Sequence, residues 1–484
     1  MQNDISKIGT LSELNEYLQK YSSNNIICCE AVLNYFSDFQ ILEDIIAFDK
    51  YKKLFSNGLY NNDDRYKYVM ALYKRYNGIA DKSDMELSFS DKSFEIKASL
   101  LLLGNNGKKI GGYRKLLRTS IDILKCSQIK INLPIGGVMP GVLNGLADYV
   151  GLKRWIKRYK NQTKQLFKIV YGNMGKSMYD TLMSELYYIE DKCFKSISCI
   201  CEYVPKFDRQ GYETLSFFSV FVKTFVFISK NERQALNQLL NAVEPVIKKS
   251  ENYKLKDKFS AINVLVEMYL GHNDVADTWL KECTINEYEG ICLLDIFCYF
   301  VKLRIYIRQG NYCAGVSLAS LMRQPLEMAS RKTDIAELDI LCAINAYANN
   351  ENEKAFAYVD SFYDYIKKNK LYRLVANEGK IMYSLLSEYS VYKKCTDDIF
   401  IKKIMALSRT MGEYYPKYFN IEKQKINLTK KEKAVLRMVI DNRTNKEIAV
   451  SMYISENTVK FHMKNIILKL GVKNRRDIIR LAKK

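Results

Sequence analysis

Proline and histidine are scarce in this 484-residue chain, which has six of the first and two of the second. Few prolines mean few enforced helix breaks, so long continuous helices are expected rather than rigid loops. The histidines, His272 and His462, lie far apart, and no Cys-x-x-Cys pair occurs. The ligand spacings of a structural zinc site and of a redox dithiol are therefore both missing. There is no long hydrophobic run. The most apolar stretch, Phe217 to Ile228, is about a dozen residues long and holds Lys223, too short and too interrupted to span a bilayer. It reads as a buried helix. No amino-terminal stretch combines a basic start, an apolar segment and a small-residue cleavage site, which argues against secretion. Of the twelve cysteines, Cys28 and Cys29 are adjacent, Cys193, Cys199 and Cys201 cluster, and the others are dispersed on apolar helical faces. They read as reduced core thiols in a reducing cytoplasm.

The patterns of catalysis are missing as well. No nucleophile–base pair or paired carboxylates stand out, and no aspartate-rich pocket suggests a phosphoacceptor. Gly175-Lys176-Ser177 looks like the end of a phosphate-binding loop, but that loop needs a glycine five residues earlier, where Val170 stands. The surrounding pattern is helical, so no backbone nest for phosphate is predicted. Neither an enzyme nor a bound cofactor or metal is expected.

What the chain does have is positive charge, concentrated at one end. Of a formal net charge of +21, the stretch from Asn427 to Lys484 carries 15 Lys+Arg against 5 Asp+Glu, nearly half the excess in about an eighth of the length. Such concentration is the electrostatic footprint of a polyanion binder. The same stretch is marked out by helix starts. Thr429-Lys430-Lys431-Glu432 and Thr444-Asn445-Lys446-Glu447 are capping boxes. Ser455 can cap a third helix, with Glu456 in its first turn, and Asn474 a fourth, with Asp477 at the reciprocal position. Stops agree: Asp441-Asn442 ends the first helix, and Gly471 closes the third. The short gap from Met452 to Ser455 is the spacing of a helix-turn-helix.

In the third helix Val459, Met463, Ile466 and Leu470 form one apolar stripe, expected to pack on Leu436, Val439, Ile448 and Met452 beside the small Ala449. The opposite face presents Asn457, Lys460, Phe461 and Lys464, with the two lysines one turn apart. That face suits the major groove of double-stranded DNA, where lysine meets guanine acceptors and an aromatic ring touches a thymine methyl.

This segment resembles the LuxR/NarL (GerE-type) DNA-binding domain. The resemblance is carried by Leu428-Thr429 with Glu432, by Thr444-Asn445-Lys446-Glu447-Ile448-Ala449, by Ile454-Ser455, by Thr458-Val459-Lys460-Phe461-His462 and by Lys469-Leu470-Gly471-Val472-Lys473-Asn474-Arg475. Lys431 replaces the usual Arg and Asn442 the usual Gly, and both keep the local physics. The resemblance implies that Asn457, Lys460, Phe461 and Lys464 read bases. It implies that Thr444, Asn445, Lys446, Ser455, Thr458 and Arg475 lie against the DNA backbone. It also implies dimerisation through the fourth helix, so that a homodimer meets two half-sites.

Ahead of this segment, residues 164–410 alternate apolar helical patterns with short polar turns. Asn231, Asn273, Asn311 and Asn352 each mark a turn, and Ala235, Ala276, Ala314 and Ala355 follow just inside the next helix, 41, 38 and 41 residues apart. A period near 40 with two helices per unit predicts an α-solenoid of helical hairpins. With a LuxR-type domain at the end, this order is similar to the tetratricopeptide-like region of MalT-type regulators, without their nucleotide-binding module. Residues 1–163 read as mostly helical, either further solenoid or a separate cap, with loops at Asn61–Asp64, Gly104–Gly107 and Leu133–Gly141. Residues 411–426, with Tyr414, Tyr415 and Tyr418, read as a linker, and 427–484 as the four-helix domain. The fold class is therefore all-α. The expected function is a cytoplasmic, sequence-specific DNA-binding transcription regulator whose repeats bind a small effector or a protein, with no membrane association. The alternative is an interaction scaffold whose basic tail binds nucleic acid without sequence choice.

Overall fold

The computed structural model describes residues 5–39, 42–81, 88–101, 121–122, 148–200, 212–250, 252–283, 285–419, 429–470 and 474–482. They form α-helices and short 3₁₀ turns, with no strand among the described residues, so the chain is all-α. Nor is any described helix long and apolar enough to cross a membrane. The expected loops at Gly104–Gly107 and Leu133–Gly141 lie outside the described residues.

Helices α1 (Leu11–Lys20), α2 (Asn25–Asp38), α3 (Asp64–Tyr76), α4 (Lys92–Leu101), α5 (Lys153–Arg158) and α6 (Lys160–Tyr171) come first. Then helices pair along the chain: α7 (Gly175–Ile189) with α8 (Cys193–Ile200), α9 (Tyr212–Lys230) with α10 (Arg233–Lys249), α11 (Tyr253–Leu270) with α12 (Asn273–Glu282). The pairs α13 (Ile296–Arg308) with α14 (Tyr312–Met328) and α15 (Lys332–Ala348) with α16 (Asn352–Asn369) follow. A short α17 (Tyr372–Ala376) precedes the last pair, α18 (Gly379–Tyr392) and α19 (Ile399–Tyr414). The first helices of successive pairs pack on one another, α7 on α9, α9 on α11, α11 on α13 and α13 on α15.

One backbone device makes the reversal inside each of the five pairs from α7 to α16. Asp191, Asn231, Gly271, Gly310 and Asn350 all have left-handed φ, between +57° and +88°. They recur 40, 40, 39 and 40 residues apart, a tighter beat than that of the alanines. One residue later a backbone N–H reaches back five residues: Lys192 to Tyr187, Glu232 to Phe227, His272 to Glu267, Asn311 to Tyr306 and Glu351 to Ala346, at 2.8–2.9 Å. This is the Schellman closure of a helix end. The alanines do what their size suggests at two turns, since Ala276 and Ala355 are fully buried. At the other two they are half-buried, and Leu236 and Gly315 take the inner place.

Gly175 opens α7 and lies so near α6 that a Cβ there would fall 2.3 Å from the Phe167 carbonyl oxygen. The glycine of the Gly-Lys-Ser triplet thus serves a helix crossing.

The early helices share a buried cluster with the later ones. One buried cluster runs from Leu14 to Phe419. Arg75 donates to the carbonyl of Ala329 at 3.0 Å, and Asp148 accepts from the Thr333 amide at 2.8 Å and hydroxyl at 2.9 Å. Lys153 donates to the Asn369 carbonyl at 2.6 Å, and Arg373 donates to Asp191 at 2.8 Å. Repeats contacting neighbours alone would leave such pairs far apart.

The expected linker is packed at its start. Helix α19 continues to Tyr414, and Met411, Tyr415, Tyr418 and Phe419 are all buried in the large cluster. Tyrosine-rich sequence reads as polar, but the Tyr418 ring stacks on Tyr269 at 4.0 Å between centroids, and the Tyr415 hydroxyl donates to the Ile228 carbonyl at 3.0 Å. Residues 420–426 lie outside the described residues. Deep in the same interior Arg304 donates to Glu337 at 2.9 Å and to Glu378 at 2.5 Å. Burial pushes the Glu337 carboxyl up to about 7; one guanidinium facing two carboxylates does not fully compensate both.

Glu190 shows the opposite balance. Lys153, Lys157 and Lys192 surround it at 2.8, 3.1 and 2.5 Å. Burial opposes its ionisation, but the hydrogen bonds and charges of these lysines outweigh that and hold the carboxyl down at about 2. Its stabilisation, on the order of 2 kcal/mol, is complete above the ordinary carboxyl value of 4.5 and is lost as pH falls toward 2. Glu190→Gln is expected to lower the urea midpoint at neutral pH and to flatten the acid limb of the stability curve. An acid limb identical to that of the parent would refute this account.

Candidate nucleic-acid interface

The last described residues form a second, separate buried cluster. Four helices build it: α20 (Lys430–Ile440), α21 (Asn445–Met452), α22 (Glu456–Leu470) and α23 (Arg475–Ala482). All four starts fall where the capping residues place them. The Thr429 and Thr444 hydroxyls accept from the amides of Glu432 and Glu447 at 3.2 and 3.3 Å, and each glutamate reaches back to its cap. Ser455 accepts from the Thr458 amide at 3.1 Å, and Asn474 from the Asp477 amide at 3.1 Å. At the stops, Asn442 takes φ +61° and Tyr453 φ +55°. The left-handed Asn442 explains why asparagine serves where glycine is usual. The expected stop at Gly471 lies outside the described residues.

Val459, Met463 and Ile466 are buried against Val439, Ile448 and Ala449, with Leu436 and Met452 at the margin. Two core members were not expected, Val435 and Ile478. Val435 falls one turn before Val439, a signal in plain view. Ile478 lies on the short α23, where Ile478 and Ile479 offer no clear periodicity from which to choose the inward one. The Leu470 side chain lies outside the described residues.

The other face of α22 is open. Asn457, Lys460, Phe461 and Lys464 are all exposed, the phenyl ring at 62 %. None of the four side chains forms a hydrogen bond or ion pair among the described residues, and the Phe461 ring meets only the edge of its neighbour His462, 6.0 Å away between centroids. The residues expected against the DNA backbone divide. Lys446 is exposed, with its ammonium unpaired among the described residues. The Thr444 and Ser455 hydroxyls are engaged in their caps, and Thr458 shares a hydrogen bond with Ser455 at 2.8 Å. Arg475 donates to Asn445 at 3.0 Å and to the carbonyl of Arg443. Arg475 and Asn445, both expected against the DNA backbone, are paired with each other, tying the start of α23 to the start of α21. Sequence alone does not reveal that pairing, because the two residues are thirty positions apart.

A family model for bacterial regulatory proteins of the luxR type matches residues 426–482. The spore germination protein GerE of Bacillus subtilis is 44% identical over 52 residues, which are 11% of this chain and 70% of that protein. The chain belongs to the luxR family of bacterial regulatory proteins. Two longer luxR-type relatives match over less of their length. The transcriptional activator protein EsaR of Pantoea stewartii is 35% identical over 110 residues, 23% of this chain and 39% of EsaR. The regulatory protein SdiA of Escherichia coli is 35% identical over 77 residues, 16% of this chain and 30% of SdiA. The chain thus spans well under half the length of these two. No solved structure matches it.

The luxR-type module depends on one small core. Ile466 is fully buried in it, and Ile466→Ala is expected to cost about 2–4 kcal/mol. Amides of α20–α23 should then exchange with solvent roughly 30-fold faster or more, while those of α13 and α15 keep their protection. Equal acceleration in both parts would show that the two cores unfold as one.

Proposed function

We propose that the chain is a sequence-specific DNA-binding transcription regulator, with α22 as the helix that enters the major groove. The observation that carries this reading is the two-sided chemistry of α22: one flank locked into a core, the other offering two ammonium groups unpaired among the described residues and an exposed phenyl ring. Relatives of the luxR type named as a transcriptional activator and as a regulatory protein support it, as does the concentration of charge in this segment. Lys460 and Lys464 meet base acceptors, Phe461 packs on a thymine methyl and Asn457 completes the edge contacts. Lys446 neutralises a phosphate, with the exposed starts of α21 and α22 beside it. Arg475 and Asn445 hold the two helix starts in register. A homodimer on two half-sites about one helical turn apart fits a module of this size, with α23 at the subunit contact. The helical repeats, in this reading, receive an effector in the cytoplasm.

Base-reading and backbone residues are separable. Selection from randomised oligonucleotides is expected to give a defined site with the parent protein. Lys460→Ala relaxes preference at about one position and costs roughly 1–3 kcal/mol on the preferred site. Lys446→Ala weakens all sequences alike and lowers the salt slope by about 1. Unchanged site selection by Lys460→Ala and Lys464→Ala would remove α22 from the groove. Selection that returns no defined site would favour a scaffold with a non-specific basic tail.

A further inference from the structure

Helix α19 ends at Tyr414, and the next few residues turn inward without helical structure, carrying Tyr418 into the core. Tyr418 is buried, and its ring lies face to face on Tyr269 at 4.0 Å. Its hydroxyl donates to Glu378 at 3.0 Å, and the other oxygen of that carboxylate accepts from Arg304. An aromatic face and a charged acceptor thus meet inside a buried interior, which makes a built site for a phenol. Beside it is a cavity of about 30 Å³ that shares Tyr269, Arg304 and Glu378 as walls and is also lined by Phe221, Phe225 and Phe297. Asn377 lines it too, and its buried Oδ1 has no hydrogen-bond partner among the described residues. The site therefore has a little spare room and an acceptor in need of a donor.

Tyr188, Tyr269 and Tyr299, equally buried, belong to helices and cannot leave without unwinding them. Tyr418 belongs to a non-helical segment, held also by Tyr415 on the Ile228 carbonyl and by Arg233 donating to the Tyr414 carbonyl at 2.8 Å. The next described residue after Phe419 is Thr429, the cap of α20.

We propose that the slot filled by Tyr418 is an effector site, and that a small molecule bearing a phenolic hydroxyl takes the place of this side chain. Release of residues 415–419 would lengthen the tether to α20 by up to about 17 Å. The site stands on its own geometry; its regulatory consequence rests on the reading of α20–α23 as a DNA-binding module.

The probe is 4-methylphenol, the side-chain analogue of tyrosine, added to the full chain without DNA. Two readouts are followed: calorimetric binding, and tryptic cleavage after Lys417. The parent is expected to bind weakly and saturably, with cleavage accelerated several-fold. Tyr418→Ala, freed of its internal competitor, is expected to bind at least about tenfold more tightly and to be cleaved rapidly with or without the probe. Toluene, which lacks the hydroxyl, should bind about tenfold less tightly to that variant. Parent cleavage unmoved by saturating 4-methylphenol would overturn the proposal, whatever the variant does. A folded Tyr418→Ala that takes up no probe would overturn it too. If that variant does not fold, the parent cleavage assay decides alone. Because neither readout involves DNA, failure here is distinct from failure of the α22 assignment.

Discussion

The turn inside each of five successive helix pairs is made by one residue with left-handed backbone, and the pairing of the helices follows from that constraint. Asp191, Asn231, Gly271, Gly310 and Asn350 supply it. Glycine, asparagine and aspartate are the residues for which this conformation costs least. Each closure returns the chain against the preceding helix, so the first helices of successive pairs pack on one another. Helices α13 and α15, which have neighbours on all sides, are buried along nearly their whole length.

That packing creates an interior that apolar side chains do not fill alone. Arg304 sits within it between Glu337 and Glu378, and Tyr418 completes the set from beyond the last helix. Removing one member of such a buried set costs more than the set contributes, because the remaining charges have no water to turn to. The network therefore fixes which segments may occupy the centre. It also joins the end of the repeats to their middle, since Glu378 and Tyr418 lie far along the chain from Arg304.

The carboxy-terminal module works on a smaller scale. Its core has few members, and its helices are short. Capping hydrogen bonds matter more where a helix has so little packing to hold it. The same caps made the module legible: four starts and the inward stripe of Val459, Met463 and Ile466 were readable from local spacing. Val435, one turn before Val439, was equally readable, whereas Ile478 had no periodic signal. The pairing of Arg475 with Asn445 was not readable, because it joins the starts of two helices that are distant along the chain.

By itself the sequence determined the all-α class, the forty-residue beat, the helix starts of the luxR-type module and the two faces of α22. All of these depend on residues within a few turns of one another, where side-chain type and backbone preference act directly. Tertiary structure alone decided that the early helices share a core with the later repeats, that Tyr415, Tyr418 and Phe419 are interior rather than part of a linker, and that Arg304 holds two carboxylates. Those outcomes depend on contacts between residues scores to hundreds of positions apart, and a tyrosine has the same local signature whether its ring faces water or another ring.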